Sequence, residues 1–214
     1  DRLKLLGHFT DLCQAIAYAH SRGVVHRDIK PANVMVGEFG ETVVLDLGLA
    51  KVRGKEDIRS SEIAREVKEF LDTNWGHTVV GDVIGTPRYM SPEQARGQIE
   101  RIDERSDVWA LGVVLYQILT GQAPFEGQSP FEVLARVANA PLVPPTGICP
   151  QAPMELDPVP AKALCRDPED RYPDASGIAR DLERFQAGRR VRAHEYGGMD
   201  LVKRFAARHK AALT

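Results

Sequence analysis

Short apolar runs alternate with polar stretches in the first quarter of the chain. Three runs are apolar and mostly β-branched: residues 24–25, 34–36 and 43–45. This pattern predicts short β-strands separated by polar loops. Upstream of them, apolar side chains recur at spacings of three and four over residues 3–20, which predicts an amphipathic helix with Gly23 as its stop. His20 lies on the apolar face of that helix, a position that favours a hydrogen-bonded core histidine over a ligand.

Longer apolar segments in the second half of the chain predict helices. Residues 108–119 have no polar face, which predicts a helix in the middle of a domain, ended by Gly121. Asp107 precedes this run and is suited to accept backbone N–H groups near the start of the helix. Ser129 and Pro130 predict the N-cap and first residue of another helix that runs to about residue 137.

Proline and glycine define the remaining boundaries. Residues 141–153 contain five prolines and predict a loop. Pro158 and Pro160 predict that the next helix is short at its front. Asp174 is the predicted cap of a final helix, which Gly188 ends.

Composition and charge agree with one soluble domain. The chain has 214 residues, 43% hydrophobic and 27% charged, enough to bury a core. A net charge of −2 gives no general argument for binding nucleic acid or membranes, and nucleic acid is not an expected partner. Three cysteines without C-x-x-C spacing indicate reduced thiols rather than a disulfide or zinc site.

The stretch His26-Arg27-Asp28-Ile29-Lys30-Pro31-Ala32-Asn33 is the most informative in the chain. It lies between two of the predicted strands, and Asp46-Leu47-Gly48 follows the third. Polar side chains in loops held by a rigid apolar frame are typical of catalytic sites.

These motifs resemble those of the protein kinase family. The stretch 26–33 is similar to the catalytic loop H-R-D-x-x-x-x-N, and residues 46–48 are similar to D-F-G with leucine in place of phenylalanine. Residues 85–93 resemble the A-P-E segment, and residues 166–173 also match the family. The resemblance implies a protein-kinase-like fold, C-terminal lobe only, mainly α-helical with short β-hairpins around the catalytic loop. It implies a lobe at 1–187, with an activation segment at 46–93, and a basic tail at 188–214.

The resemblance assigns a role to each polar residue of the loop. Asp28 is the expected base that accepts the hydroxyl proton, and Lys30 the expected contact to the transferred phosphate of ATP. Asn33 and Asp46 are the expected ligands of Mg²⁺. His26 is expected to bond the backbone near the metal-binding turn, and Arg27 to sense a phosphate on the activation segment. The lysine is typical of Ser/Thr kinases.

Further residues are given regulatory or structural roles by the same resemblance. Thr78 is the first candidate phosphorylation site and Thr73 a weaker one. In the same segment, the apolar residues of 58–71 fall on one helical face, which fits either a short extra helix or a solvated, disordered stretch. Thr86 is expected to bond Asp28 and Lys30. Glu93 and Arg171 are expected to form a buried ion pair, and Asp107 to hold the catalytic loop from beneath.

The last segment is strongly basic. Residues 188–214 contain seven Lys or Arg against two acidic residues, a net charge of +5. This resembles the juxtamembrane linker of bacterial (Hanks-type) membrane-anchored Ser/Thr kinases, which implies a cytoplasmic domain of a single-pass inner-membrane protein with an anchor beyond Thr214. An ordinary solvated tail is the alternative.

Two functions remain open from the sequence. The first is a Ser/Thr kinase that acts on protein substrates and autophosphorylates, with a homodimer acting in trans. The second is a non-catalytic kinase-like interaction module, because no G-x-G-x-x-G motif of an N-terminal lobe occurs in this sequence.

Overall fold

The structure is a computed structural model and describes residues 2–46, 51–52 and 87–193, the pair 51–52 as backbone only. A 3₁₀ turn at Arg2–Leu5 leads into helix α1, Leu6–Ser21. The predicted helix is therefore present, with a tight turn as its first part. Gly23 follows with a φ of 70°. This left-handed conformation suits glycine and ends the helix as predicted.

Two small antiparallel pairs of strands surround the polar loop. Strand β2 (Val34–Val36) pairs with β3 (Thr42–Val44) as a hairpin, with Met35 opposite Val43. Strand β1 (Val24–Val25) pairs with β4 (Lys51–Val52). The strands predicted from the apolar runs are confirmed, and the segment between β1 and β2 is the polar loop.

Helix α3 is the centre of the fold. After the short helix α2 (Pro92–Ala95), α3 runs from Glu104 to Thr120, is capped by Asp103 and ends at Gly121 with a φ of 88°. Its apolar residues are buried on all sides, as the sequence predicted. Helices α1 and α7 (Ala175–Gln186) pack together and against α3. Asp174 caps α7 by accepting from the Ser176 N–H, as expected.

The proline-rich region contains more helix than the sequence predicted. Helix α4 covers Pro130–Asn139, but a short helix α5 at Pro145–Ile148 interrupts the predicted loop. Helix α6 has six residues, Pro158–Ala163, with Pro158 as the first. Proline is tolerated in the first turn of a helix because the N–H groups there have no partner within the helix.

Gly112 allows α3 and α6 to approach each other closely. A β-carbon at this position would lie 2.8 Å from the Cβ of Ala163. Within the described part of the chain, no helix is long and apolar enough to span a bilayer.

Candidate active site

The polar loop is fixed from below by the buried carboxylate of Asp107 in α3. The backbone N–H of His26 donates to Asp107 Oδ2, and that of Arg27 donates to Asp107 Oδ1. The distance is 2.7 Å in both hydrogen bonds. Asp107 is 1% exposed, and hydrogen bonds to a buried carboxylate are among the stronger ones in proteins. The predicted support of the loop by this residue is confirmed.

His20 extends this support to the last helix. Its Nε2 lies 2.9 Å from Asp107 Oδ2, and its Nδ1 accepts from the Ala175 N–H at the start of α7 over 3.4 Å. The prediction of a hydrogen-bonded core histidine is confirmed. One carboxylate thereby connects the loop, α1, α3 and α7.

Two non-glycine residues of the site have left-handed backbone conformations. The φ angles are 69° for Arg27 and 57° for Asp46. Such conformations cost about 1–3 kcal/mol for most residues, although aspartate tolerates them better. They persist only where the surroundings enforce them, and the hydrogen bond from Arg27 N to Asp107 is one such constraint.

Asp28, Lys30 and Asn33 form a compact cluster at the surface of the loop. Lys30 Nζ donates to Asp28 Oδ2 over 2.7 Å. Asn33 Nδ2 donates to the same oxygen over 2.9 Å and to the Asp28 carbonyl over 2.8 Å. The Asp28 side chain is 11% exposed and that of Lys30 is 20% exposed. Both side-chain contacts use Oδ2, so this cluster holds the carboxylate without occupying Oδ1.

The β2–β3 hairpin brings Asp46 to the same place. The Leu45 N–H donates to the Asn33 carbonyl over 2.8 Å, and His26 Nε2 lies 3.3 Å from the Leu45 carbonyl. The predicted contact of His26 with the backbone beside the D-L-G turn is therefore present. Asp46 follows directly and is exposed.

The oxygen atoms of Asn33 and Asp46 suit a hard cation. Both hydrogen bonds of the Asn33 side chain described above use the amide nitrogen, so they do not occupy its oxygen. No cluster of three or more His, Cys, Asp or Glu side chains able to hold a metal occurs in the described ranges. Mg²⁺ commonly uses one or two protein oxygens together with substrate phosphates, so two ligands fit that ion.

A buried ion pair joins α2 to the segment before α7. Arg171 Nη1 and Nη2 donate to Glu93 Oε1 and Oε2 over 2.8 and 2.9 Å, and Ser106 Oγ donates to Oε1 over 2.7 Å. Burial alone would raise the pKa of Glu93, but the hydrogen bonds and charge of Arg171 outweigh it and hold that pKa below its usual value. The predicted pair is confirmed.

The Arg171 guanidinium also donates to backbone carbonyls. Its partners are the carbonyl oxygens of Cys165, Arg105 and Arg166, at 2.7, 2.9 and 3.1 Å. Together with the two bonds to Glu93, these satisfy all five N–H donors of an arginine. The guanidinium carbon lies 5.0 Å from the ring centre of Trp109, a cation–π distance.

Gln94 is a site residue that the sequence did not indicate. It completes a capping box with Ser91 at the start of α2, and its Nε2 donates to the Arg27 carbonyl over 2.9 Å. The S-x-x-Q pattern could have predicted the helix start. The contact to a loop 67 residues away in sequence could not have been predicted from it.

Several predicted residues lie outside the described residues. These are Thr73, Thr78 and Thr86, together with Leu47, Gly48 and the candidate helix at 58–71. The described geometry thus brings together Asp28, Lys30, Asn33 and Asp46, with His26 and Asp107 beneath them.

Comparisons with known proteins identify the family. A family model described as the protein kinase domain matches residues 5–176. The serine/threonine-protein kinase PknB of Mycolicibacterium smegmatis is 40% identical over 178 residues, which are 83% of this chain and 25% of that protein. PknB of Mycobacterium tuberculosis is 38% identical over 83% of this chain and 25% of its own length. PknD of Protochlamydia amoebophila is 37% identical over 87% of this chain and 19% of its own length.

The chain spans about a quarter or less of the length of these curated relatives. The match to the family model covers most of the chain, and it includes the loop, the hairpin and the ion pair described above. The chain belongs to the protein kinase family, and its relatives are bacterial serine/threonine kinases.

Proposed function

We propose that the protein containing this chain transfers the γ-phosphoryl group of ATP to serine or threonine hydroxyls of other proteins. The observation that carries the proposal is the cluster of Asp28, Lys30 and Asn33, held on Asp107. A carboxylate that is held through one oxygen can still accept a proton at the other. Membership of the kinase family and similarity to named Ser/Thr kinases support the same reaction.

Each residue of the cluster has a distinct task in this proposal. Asp28 orients the substrate hydroxyl and accepts its proton as the oxygen bonds to the γ-phosphorus, while the bond from that phosphorus to the bridging oxygen breaks and ADP departs. Lys30 stays next to the Asp28 carboxylate and offsets negative charge at the transferred group. Asn33 fixes the Asp28 carboxylate through its amide nitrogen.

Asn33 and Asp46 would hold Mg²⁺ through their oxygen atoms. The ion, when bound, neutralises charge on the phosphates of the substrate ATP. The backbone hydrogen bond between Leu45 and Asn33 keeps these two ligands on adjacent positions. His26 holds the backbone before Asp46 by its contact with the Leu45 carbonyl.

We further propose that residues 1–187 form the C-terminal lobe of the kinase domain. The helical core and the absence of a G-x-G-x-x-G motif from this sequence support this assignment. The remaining contacts to ATP would come from residues that this sequence does not contain. Phosphorylation of Thr78 or Thr73, read by Arg27 and carried out in trans by a second copy, is the corresponding regulatory proposal.

We place the domain on the cytoplasmic side of a membrane, with residues 188–214 as a linker toward an anchor. The net charge of +5 over these residues supports that placement, because positive charge is retained on the cytoplasmic side.

A matched pair of variants in the full-length protein tests the proposed reaction. Asp28→Asn keeps the shape of the side chain but cannot accept a proton, so kcat with casein as the substrate is expected to fall by about 10²–10⁴-fold. Asp11→Asn makes the same chemical change on the exposed face of α1 and is expected to leave kcat unchanged.

Both variants are expected to melt at the temperature of the unmodified protein, because neither removes a core contact. A rate for Asp28→Asn within twofold of the unmodified rate would contradict the role of Asp28. No transfer by the unmodified protein would favour an interaction module instead.

A further inference from the structure

Four arginines lie together where the chain leaves helix α7. We call Arg184, Arg189, Arg190 and Arg192 the arginine face. Arg184 Nε donates to the Arg190 carbonyl, and the Arg189 N–H donates to the Arg184 carbonyl. Both distances are 2.6 Å. Arg189, Arg190 and Arg192 are exposed, and Arg184 is half-buried. The two hydrogen bonds hold the segment after the helix against its last turn.

A buried carboxylate fixes the position of this segment. Asp181, 1% exposed, accepts from the N–H groups of Arg192 and Ala193 over 2.8 and 3.2 Å, and from the Tyr172 hydroxyl over 2.8 Å. Val191 is 1% exposed and packs into the core. The first residues of the basic segment, 188–193, are therefore packed on the lobe, with their backbone held at both ends.

The charge of the chain is divided between this end and the rest of the lobe. Residues 188–214 carry seven basic and two acidic side chains, whereas residues 1–187 carry 21 basic and 28 acidic ones. The net charges are thus +5 and −7. An anionic surface would repel the lobe as a whole and attract it at this end, which defines an orientation.

We propose that the arginine face docks on the anionic phospholipid surface of a bilayer. Three of its guanidinium groups, those of Arg189, Arg190 and Arg192, belong to exposed residues at neighbouring positions, an arrangement suited to an extended sheet of charge. The chain continues from this face into residues 194–214, which carry four basic and two acidic side chains. The sequence after the face therefore adds a further net charge of +2.

Docking at this face would orient the lobe relative to the bilayer. The inference is independent of phosphoryl transfer. It rests on the membrane-proximal placement proposed above and adds that the part of the basic segment packed on the lobe, together with Arg184, contacts the lipid.

The test is co-sedimentation of the 214-residue chain with vesicles. Vesicles of phosphatidylcholine with 30% phosphatidylglycerol are compared with pure phosphatidylcholine at low and high salt. Each arginine near such a surface contributes about a fivefold change in partitioning. The triple variant Arg189→Gln, Arg190→Gln, Arg192→Gln is therefore expected to partition on the order of 100-fold more weakly at low salt. High salt is expected to weaken binding of the unmodified chain as well.

Two further variants separate the arginine face from net charge and from the following segment. A matched control removes three exposed arginines elsewhere: Arg22→Gln, Arg96→Gln and Arg136→Gln. A second variant neutralises the basic residues after the lobe: Lys203→Gln, Arg204→Gln, Arg208→Gln and Lys210→Gln. Thermal unfolding checks that each variant is folded.

The proposal is supported if the triple variant at the arginine face loses binding and the matched control does not. Equal loss of binding in the triple variant and the matched control would show that binding depends on net charge alone, and would overturn the proposal. Complete loss in the second variant with no loss in the triple variant would also overturn it, since the folded lobe would then make no contact. Displacement by millimolar glycerol phosphate would indicate a discrete phosphate site instead. If the triple variant of the chain loses vesicle binding while the same three substitutions leave the kinase activity of the full-length protein unchanged, the proposed reaction still stands.

Discussion

Arg171→Ala is the substitution whose effect on stability the structure defines best. It removes a side chain with 0% exposure whose five N–H donors all have partners. It leaves the Glu93 carboxylate, 2% exposed, without its cation. Breaking a buried pair in this way typically lowers the free energy of unfolding by about 3–5 kcal/mol.

The expected change is large enough to measure by thermal unfolding. For a domain of this size each kcal/mol lowers Tm by about 2–4 °C, so Arg171→Ala should melt roughly 6–20 °C below the unmodified protein. Urea unfolding followed by tryptophan fluorescence gives an independent value, because Trp109 is buried beside the guanidinium.

The double variant Glu93→Leu, Arg171→Met is the matched control. Replacing both charges by apolar side chains removes the unpaired buried carboxylate, so the double variant should be more stable than Arg171→Ala. A loss below about 1 kcal/mol for Arg171→Ala, or a double variant no more stable than the single one, would refute the reasoning.

The lowered pKa of Glu93 adds a dependence on pH. A carboxyl whose pKa is lower in the folded state contributes stability above its unfolded pKa, and this contribution disappears as the pH falls through the folded value. The stability difference between the unmodified protein and Glu93→Gln should therefore be constant at neutral pH. It should shrink below a pH of about 4.3, the pKa of a free glutamate. A difference that instead grew toward acid pH would contradict the lowered pKa.

Four other substitutions test the metal site, the support of the loop and the packing of the helices. Asn33→Ala should raise the Mg²⁺ concentration for half-maximal activity about tenfold or more, measured by titration of Mg²⁺ at saturating ATP. An unchanged Mg²⁺ concentration for half-maximal activity would exclude Asn33 as a ligand. Asp107→Ala should lower the free energy of unfolding by about 2 kcal/mol or more, because buried N–H donors of the loop lose their acceptor, and an unchanged urea midpoint would exclude that support. Gly112→Val should lower the free energy of unfolding by about 1–3 kcal/mol because it crowds Ala163. Gly7→Ala has open space around the new methyl group and should raise the free energy of unfolding by up to about 1 kcal/mol. Equal effects of the two substitutions would contradict the close packing at Gly112.

The local elements were predictable because local residues determine them. The β-branched runs gave strands β1 to β3, and glycines at positions 23 and 121 ended helices through left-handed φ angles. Helix α5 was missed because five prolines suggested a loop, although proline at the first helical position is compatible with a helix.

Periodicity and capping rules did not predict the long-range contacts that assemble the site, and those that were expected came from the family motifs. The bond between His20 and Asp107 joins residues 87 positions apart, and that between Gln94 and Arg27 joins residues 67 apart. Neither periodicity nor capping rules specify such pairs, since they depend on how the helices pack. The ion pair of Glu93 and Arg171 was expected because both residues lie in motifs that resemble those of the family. The structure adds that all five N–H donors of Arg171 have partners.

The Asp28 cluster is proposed to serve phosphoryl transfer to hydroxyl groups. The most direct measurement is the intact mass of the full-length protein after incubation with Mg²⁺ and ATP, beside its Asp28→Asn variant, followed by peptide mapping. The account predicts phosphate on serine or threonine of the unmodified protein, Thr78 and Thr73 included, and none on the variant. Equal incorporation in both proteins, or none in a folded unmodified protein that binds ATP, would contradict it.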